Sequence, residues 1–185
     1  MKRLFCVWMC LCFLSGCSAA DGDMDTVIGL RSSLLKGGCS FVANIHADYG
    51  QAIHTFKLSC EADSLGALNF RVIAPETISG ITGRIAEDSG ALLFDDQVLA
   101  FQLLADGLLS PVSAPWLFLR GLRGSYISAV GKDGDDLLVQ LDDSFQGETL
   151  LLDVWLTRDG MPKAAVFSWK GTKILSMEID SFCLL

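Results

Sequence analysis

The sequence predicts an α+β fold built on one antiparallel sheet. Apolar residues recur with a period of two over most of the chain, short Gly- or Asp-containing turns join these runs, and only two segments carry helical spacing. No strand–helix alternation and no internal repeat occurs, so a parallel sheet is not expected.

The first element is a leader rather than part of the fold. Lys2 and Arg3 precede an apolar run from Leu4 to Leu14, and Leu14-Ser15-Gly16-Cys17 closes it as a lipobox, the layout of a bacterial lipoprotein signal. The run is shorter than the ~20 residues a membrane-spanning helix needs. Residues 1–16 are therefore expected to be removed, leaving Cys17 to carry diacylglycerol and acyl chains. Residues 17–25 are small, polar and acidic and are expected to form a lipidated tether, with the domain running over 26–185.

Asp25 is the expected N-cap of a first helix, whose stripe is Val27, Ile28, Leu30, Leu34 and Leu35 and whose stop is Gly37-Gly38. Two strands follow around Tyr49-Gly50. With Asp48 opposite Gln51, one face carries Cys39, Phe41, Ala43, Ile45 and Ala47 against Cys60, Leu58, Phe56, His54 and Ala52, while the other is mostly polar. That register predicts a direct Cys39 to Cys60 contact, either a disulfide or two buried free thiols.

Strands are next expected over 66–74, 83–87, 91–94 and 97–103, forming a meander. The most hydrophobic stretch, Val98 to Leu122, contains a second helix that starts at Ser113-Ala114-Pro115 and ends within Gly121 to Gly124. Three hairpin turns, at Lys132 to Asp135, Arg158 to Met161 and Gly171, organise the strands of the last third. Both helices are then available to cover the apolar face of the sheet.

Composition excludes several functions. With 14 basic and 22 acidic residues the formal net charge is −8, and loss of the leader takes it to about −10. Such a chain repels phosphates, so neither nucleic acid nor anionic headgroups are expected partners. Of the seven cysteines, four belong to the leader and lipobox. Cys39, Cys60 and Cys183 remain, and with Cys39 facing Cys60, Cys183 is left as the candidate for an intermolecular thiol. No metal-ligand or redox spacing occurs, and no metal or other cofactor is expected. His46 and His54 fall on opposite faces, no nucleophile motif follows a strand, and the Asp-rich turns lack the calcium-loop spacing, so no catalytic residue is assigned.

The order of elements resembles the LolA/LolB-like lipoprotein-carrier superfamily, which includes the mycobacterial lipid-binding and clostridial germination lipoproteins. Carrying the resemblance from about Asp25 onward are Phe41 to Ala47 opposite Phe56, Phe70-Arg71-Val72-Ile73-Ala74-Pro75 with Gly80-Ile81, and Leu92 to Leu99. Ser113-Ala114-Pro115 and Asp159 to Ala164 leading to Ile179-Asp180-Ser181-Phe182 complete the set. The resemblance implies an unclosed antiparallel β half-barrel with helices packed on its concave face.

It also implies a hydrophobic groove for a lipid or an acylated lipoprotein, and a non-enzymatic role. Phe41, Phe56, Leu58, Phe70, Phe101, Leu104, Trp116 and Phe118 are the large apolar residues that either fill the core or line that groove. The alternative implied by the germination relatives is an envelope or spore regulator acting through protein–protein contacts. Either way the expected location is the extracytoplasmic side of a membrane. Ser18 after the lipobox is compatible with an outer-membrane destination if the envelope has two membranes.

Overall fold

The computed structural model describes residues 19–50, 53–86, 89–94, 97–102, 104–105, 108–144 and 149–185. The leader and Cys17 lie outside the described residues. Helix α1 spans Ala19–Lys36 and is followed by β1 (Cys39–Asp48), β2 (Ile53–Ala62), β3 (Leu68–Ala74), β4 (Thr82–Ala86), β5 (Ser89–Phe94) and β6 (Gln97–Gln102). A small hairpin, β7 (Leu104–Ala105) with β8 (Leu108–Leu109), leads into α2 (Ala114–Gly124). The chain ends in β9 (Tyr126–Asp133), β10 (Asp136–Asp142), β11 (Leu150–Leu156), β12 (Pro162–Trp169) and β13 (Thr172–Leu184).

Eleven strands form one antiparallel sheet in the order β6-β5-β4-β3-β2-β1-β13-β12-β11-β10-β9. Two meanders, one from each half of the chain, meet where β1 pairs with β13. The first and last strands in the order do not pair, so the sheet is an unclosed half-barrel with β6 and β9 at its edges. This is the architecture that the sequence predicts.

The β1–β2 register is displaced by two residues from the expected one. Asp48 faces Ile53 across a four-residue connection, in which the Gly50 amide donates to Asp48 Oδ1 at 2.8 Å. Because two is a full period of the strand, every side chain keeps its expected face while its partner changes. Cys39 now stands opposite Ala62 and Cys60 opposite Phe41.

A bulge in β13 sets the far end of the same face. The register shifts between Ser40 and Val42 of β1, and Ser181 adopts φ 54°. One extra residue inverts the alternation of β13. Met177 and Ile179 are buried before the bulge, whereas after it Phe182 turns inward and stacks on Phe41 with ring centroids 5.8 Å apart. Cys183 is turned outward and is exposed.

Helix α1 begins at Ala19, so the expected tether is helical from that residue onward. Val27, Leu30 and Leu34 form its buried stripe, while Ile28 and Leu35 are exposed. Helix α2 starts where the sequence places it, although the Ser113 hydroxyl donates to Ser110 O at 2.6 Å instead of capping the helix. Trp116, Leu117, Phe118, Leu119 and Leu122 are all buried.

Each helix is held by an arginine of the other. Arg31 of α1 donates from Nε to Leu122 O at 2.7 Å and from Nη2 to Ser125 O at 2.8 Å and Gly121 O at 3.4 Å, at the C-terminal end of α2. Arg123 of α2 donates from Nη1 to Leu34 O, in the last turn of α1, and from Nη2 to Ser64 O at 2.6 Å. The last carbonyls of a helix lack partners within it and carry its negative dipole end, so a guanidinium there supplies both donors and complementary charge.

The α1–β1 connection requires glycine for a reason of space. A Cβ on Gly38 would lie 2.3 Å from the Ala62 carbonyl oxygen, and one on Gly37 would lie 2.5 Å from that of Leu185. Ala62 is paired with both Cys39 and Leu68, so its backbone cannot yield without disturbing the sheet. Replacing Gly38 with Ala is therefore expected to lower unfolding stability by about 2 kcal/mol or more, in the overpacking range. Gly29, mid-helix with nothing within 4 Å of its Cβ position, is the control. Gly29→Ala should raise stability by about 0.5–1 kcal/mol, both values read from urea unfolding.

Candidate functional site

Among the described residues the concave face of the half-barrel is largely apolar, but its two wings are covered unequally. On the β9–β13 wing every inward apolar side chain of β10 and β11 is buried, among them Val139, Leu141, Leu152 and Val154. Helix α2 lies tight on these strands: a Cβ on Gly121 would touch Leu152 at 3.0 Å and Leu141 at 3.4 Å. In the centre, Phe118 meets the Phe41 ring edge-on at 5.9 Å.

The β4–β6 wing differs. A cross-strand row runs Phe41–Cys60–Phe70–Gly83–Leu92–Leu99. Its inner members Phe41, Cys60 and Phe70 are buried, Leu92 is half-buried, and Leu99 is 65% exposed. The row thus carries apolar side chains beyond the reach of its cover. Gly83 gives it a flat middle, because the Phe70 ring occupies the space where a Cβ would sit, 2.3 Å from that position. At the β1–β2 end the same face finishes in an aromatic run, Tyr49 to His54 at 6.3 Å and His54 to Phe56 at 6.4 Å between ring centroids. Burial raises the Tyr49 hydroxyl pKa above its ordinary value.

The expected groove residues therefore divide. Phe41, Leu58 and Phe70 of the sheet and Trp116 and Phe118 of α2 are buried together in the core, where the Phe118 ring stands edge-on to Phe41. Phe56 is half-buried at the aromatic end. The side chains of Phe101 and Leu104 lie outside the described residues. Leu92 and Leu99 are the additional candidates, and the signal for them in the sequence is their place on an outer hairpin far from either helix.

A recess of about 560 Å³ opens where α2 crosses the β2–β3 turn, lined by Leu35, Leu65, Ala67, Ala86 and Trp116 together with Arg84, Arg120 and Arg123. Its arginines are engaged by the protein. Arg120 pairs with Asp143, its Nε donating at 2.9 Å, and its guanidinium lies 4.8 Å from the Trp116 ring centroid. Asp143 also accepts from the Ser125 hydroxyl at 2.6 Å. Trp116 Nε1 donates to Gly66 O at 3.2 Å, tying α2 to the turn. Burial lowers the Arg31 pKa, which nonetheless leaves a guanidinium charged.

The polar candidates stay apart. His46 and His54 are exposed on opposite faces of the sheet. The acidic turns have protein partners: Asp133 accepts from Trp155 Nε1 at 2.8 Å, Asp135 pairs with Arg158, and Asp136 pairs with Lys163 at 2.6 Å.

Cys39 and Cys60 are free thiols, both buried. The displaced register makes them diagonal neighbours, whose typical separation of about 7–8 Å between Cα atoms exceeds what a disulfide spans. This corrects the direct contact that the sequence predicts, and the cause is the longer turn. Burial pushes the Cys39 thiol up to about 11, against a smaller opposing pull from Arg123. Cys60 is raised further, by burial first and by the neighbouring Cys39 second.

No protein-family model matches the sequence, and no curated protein is significantly similar to it. Solved structures with a similar chain path include a LolA superfamily protein from Nitrosomonas europaea, at 7% identity over 88% of this chain and 93% of that one, with a TM-score of 0.48. A putative outer membrane lipoprotein-sorting protein domain from Vibrio parahaemolyticus is similar at 8% identity over 89% and 92%, with a TM-score of 0.45. The Mycobacterium tuberculosis lipoprotein LppX is similar at 10% identity over 86% and 96%, with a TM-score of 0.39. At these scores the likeness says nothing about ligand or partner.

Two measurements check the thiols. At pH 8 a maleimide should label Cys183 alone in the native protein and all three described cysteines in urea; a native mass that rises by two hydrogens on reduction would contradict this. Both folded thiols titrate above the unfolded value of about 8.5, so below it they contribute nothing to the pH dependence. As pH rises from about 9 toward 11 the unfolded state alone releases these protons, and stability should fall by up to about 1.4 kcal/mol per pH unit per thiol.

Proposed function

We propose that this protein is a lipoprotein of the cell envelope, fastened to the extracytoplasmic side of a membrane through acyl chains on Cys17. On its concave face it binds or hands over an acyl chain of a lipid or of an acylated lipoprotein. The role is one of binding, with no covalent chemistry and no metal or other cofactor. The observation that carries the reading is the unequal cover: the inward apolar side chains of β10 and β11 are buried, whereas on the other wing the row continues through half-buried Leu92 to exposed Leu99. The lipobox and the resemblance to LolA-like carriers point to the same class of ligand.

The energetics are those of hydrocarbon burial. Each methylene removed from water contributes about 0.8 kcal/mol, so about eight lying along the open wing contribute about 6 kcal/mol before the cost of association. Specificity for a headgroup is not required for such binding. An anchored binder collects its ligand from its own membrane or from a partner brought to it, and free shuttling is not part of this reading.

A second reading, a regulator that engages an envelope or spore protein, draws on the open edge of β9. That strand pairs with β10 on one side only, and its residues are mostly exposed. Edge strands of this kind accept an added strand.

Native mass spectrometry of the protein after exposure to phospholipid separates the two readings. The first expects a one-to-one lipid adduct, and Leu99→Asp should weaken it by at least about tenfold, since one leucine contact is worth about 1.5–3 kcal/mol. The unfolding midpoint should stay unchanged because Leu99 is exposed. Absence of any adduct with a range of phospholipids would refute the lipid-binding reading and favour the second.

A further inference from the structure

We infer that the α1–α2 side of the domain seats on the bilayer that holds Cys17, with α1 lying along the membrane surface; this rests on the lipid anchor in the function proposed above. Helix α1 carries two apolar stripes. Val27, Leu30 and Leu34 face the core, whereas Met24, Ile28 and Leu35 share an adjacent side and are exposed. Their spacing of four and seven residues keeps them in line at 3.6 residues per turn.

One further exposed side chain extends the patch: Leu65, which borders the recess together with Leu35, is 90% exposed. Leucine, isoleucine and methionine beside a helix that lies flat are what a lipid interface accommodates.

A flat helix is the orientation in which the short tether and the exposed stripe can both meet the bilayer. Only Ser18 separates Cys17 from the first described residue of α1, a reach of about 7 Å. Leu35 lies about 24 Å along the helix from Ala19. A helix standing upright would therefore hold Leu35 and Leu65 far above the lipid, and a helix lying flat brings the whole patch to it. The net negative charge of the chain offers no pull toward anionic headgroups, so an uncharged phosphatidylcholine surface is the fitting partner, and added salt should not release the contact.

The test uses the full Cys17-lipidated protein on phosphatidylcholine vesicles that contain a phospholipid with a diazirine in its acyl tail. After photolysis, peptides carrying Met24 to Leu35 and Leu65 are expected to bear lipid adducts. The combined variant Ile28→Ser, Leu35→Ser, Leu65→Ser should lower those adducts by at least about tenfold, with flotation and unfolding midpoint unchanged. Adducts confined to the Cys17 peptide would overturn the docking while leaving the anchor intact, as would protection of the patch by concentration-dependent self-association. A mature protein whose intact mass shows no lipid on Cys17 would overturn the docking and the anchor together.

Discussion

Two guanidinium groups hold this fold in its working shape. Arg31 binds the carbonyls at the end of α2, and Arg123 binds the end of α1 and the β2–β3 turn. Charge-assisted hydrogen bonds of this kind contribute about 1.5–3 kcal/mol each, more than a surface ion pair. Reciprocity matters more than the sum. Neither helix can slide along the sheet without stripping the carbonyls of the other, so the cover moves as one body or not at all.

The position of that cover follows from what α2 touches. Gly121 lets the helix press onto Leu141 and Leu152, Phe118 stands on Phe41, and Trp116 is bonded to the β2–β3 turn. These contacts hold α2 over the centre and the C-terminal wing and tie it, on the N-terminal side, to the β2–β3 turn. The N-terminal meander, with the same apolar inner face, extends past them, and Leu99 is left facing water. A protein that needed only stability would gain by sealing that face, since each buried leucine contributes about 1.5–3 kcal/mol.

Much of this was legible in the sequence because alternation survives errors of register. The four-residue β1–β2 connection shifts pairing by two, yet Phe41, Ile45 and Leu58 keep the inward face that the pattern assigns them. The same shift separates Cys39 from Cys60, a distinction that alternation cannot register. The Ser181 bulge is equally silent, because nothing in Asp180-Ser181-Phe182 marks the inversion that turns Phe182 inward and Cys183 outward. Least legible were the long-range partners: β1 pairs with β13, and Arg31 reaches carbonyls about ninety residues away, where local pattern carries no information. Size and apolarity, the only marks that the expected groove residues carry in the sequence, identify a core as readily as a cavity. Only the placement of α2 separates Phe118, which is buried, from Leu99, which is not.

The central claim is that an acyl chain lies on the uncovered wing while the helix-covered wing remains closed. Intermolecular nuclear Overhauser effects between a protonated fatty acid and the labelled leucine methyls of otherwise deuterated protein test it directly. Contacts to Leu92 and Leu99, with none to Leu141 or Leu152, are the predicted result. Contacts to Leu141 and Leu152 would show that the chain enters beneath the helices, and would contradict the account.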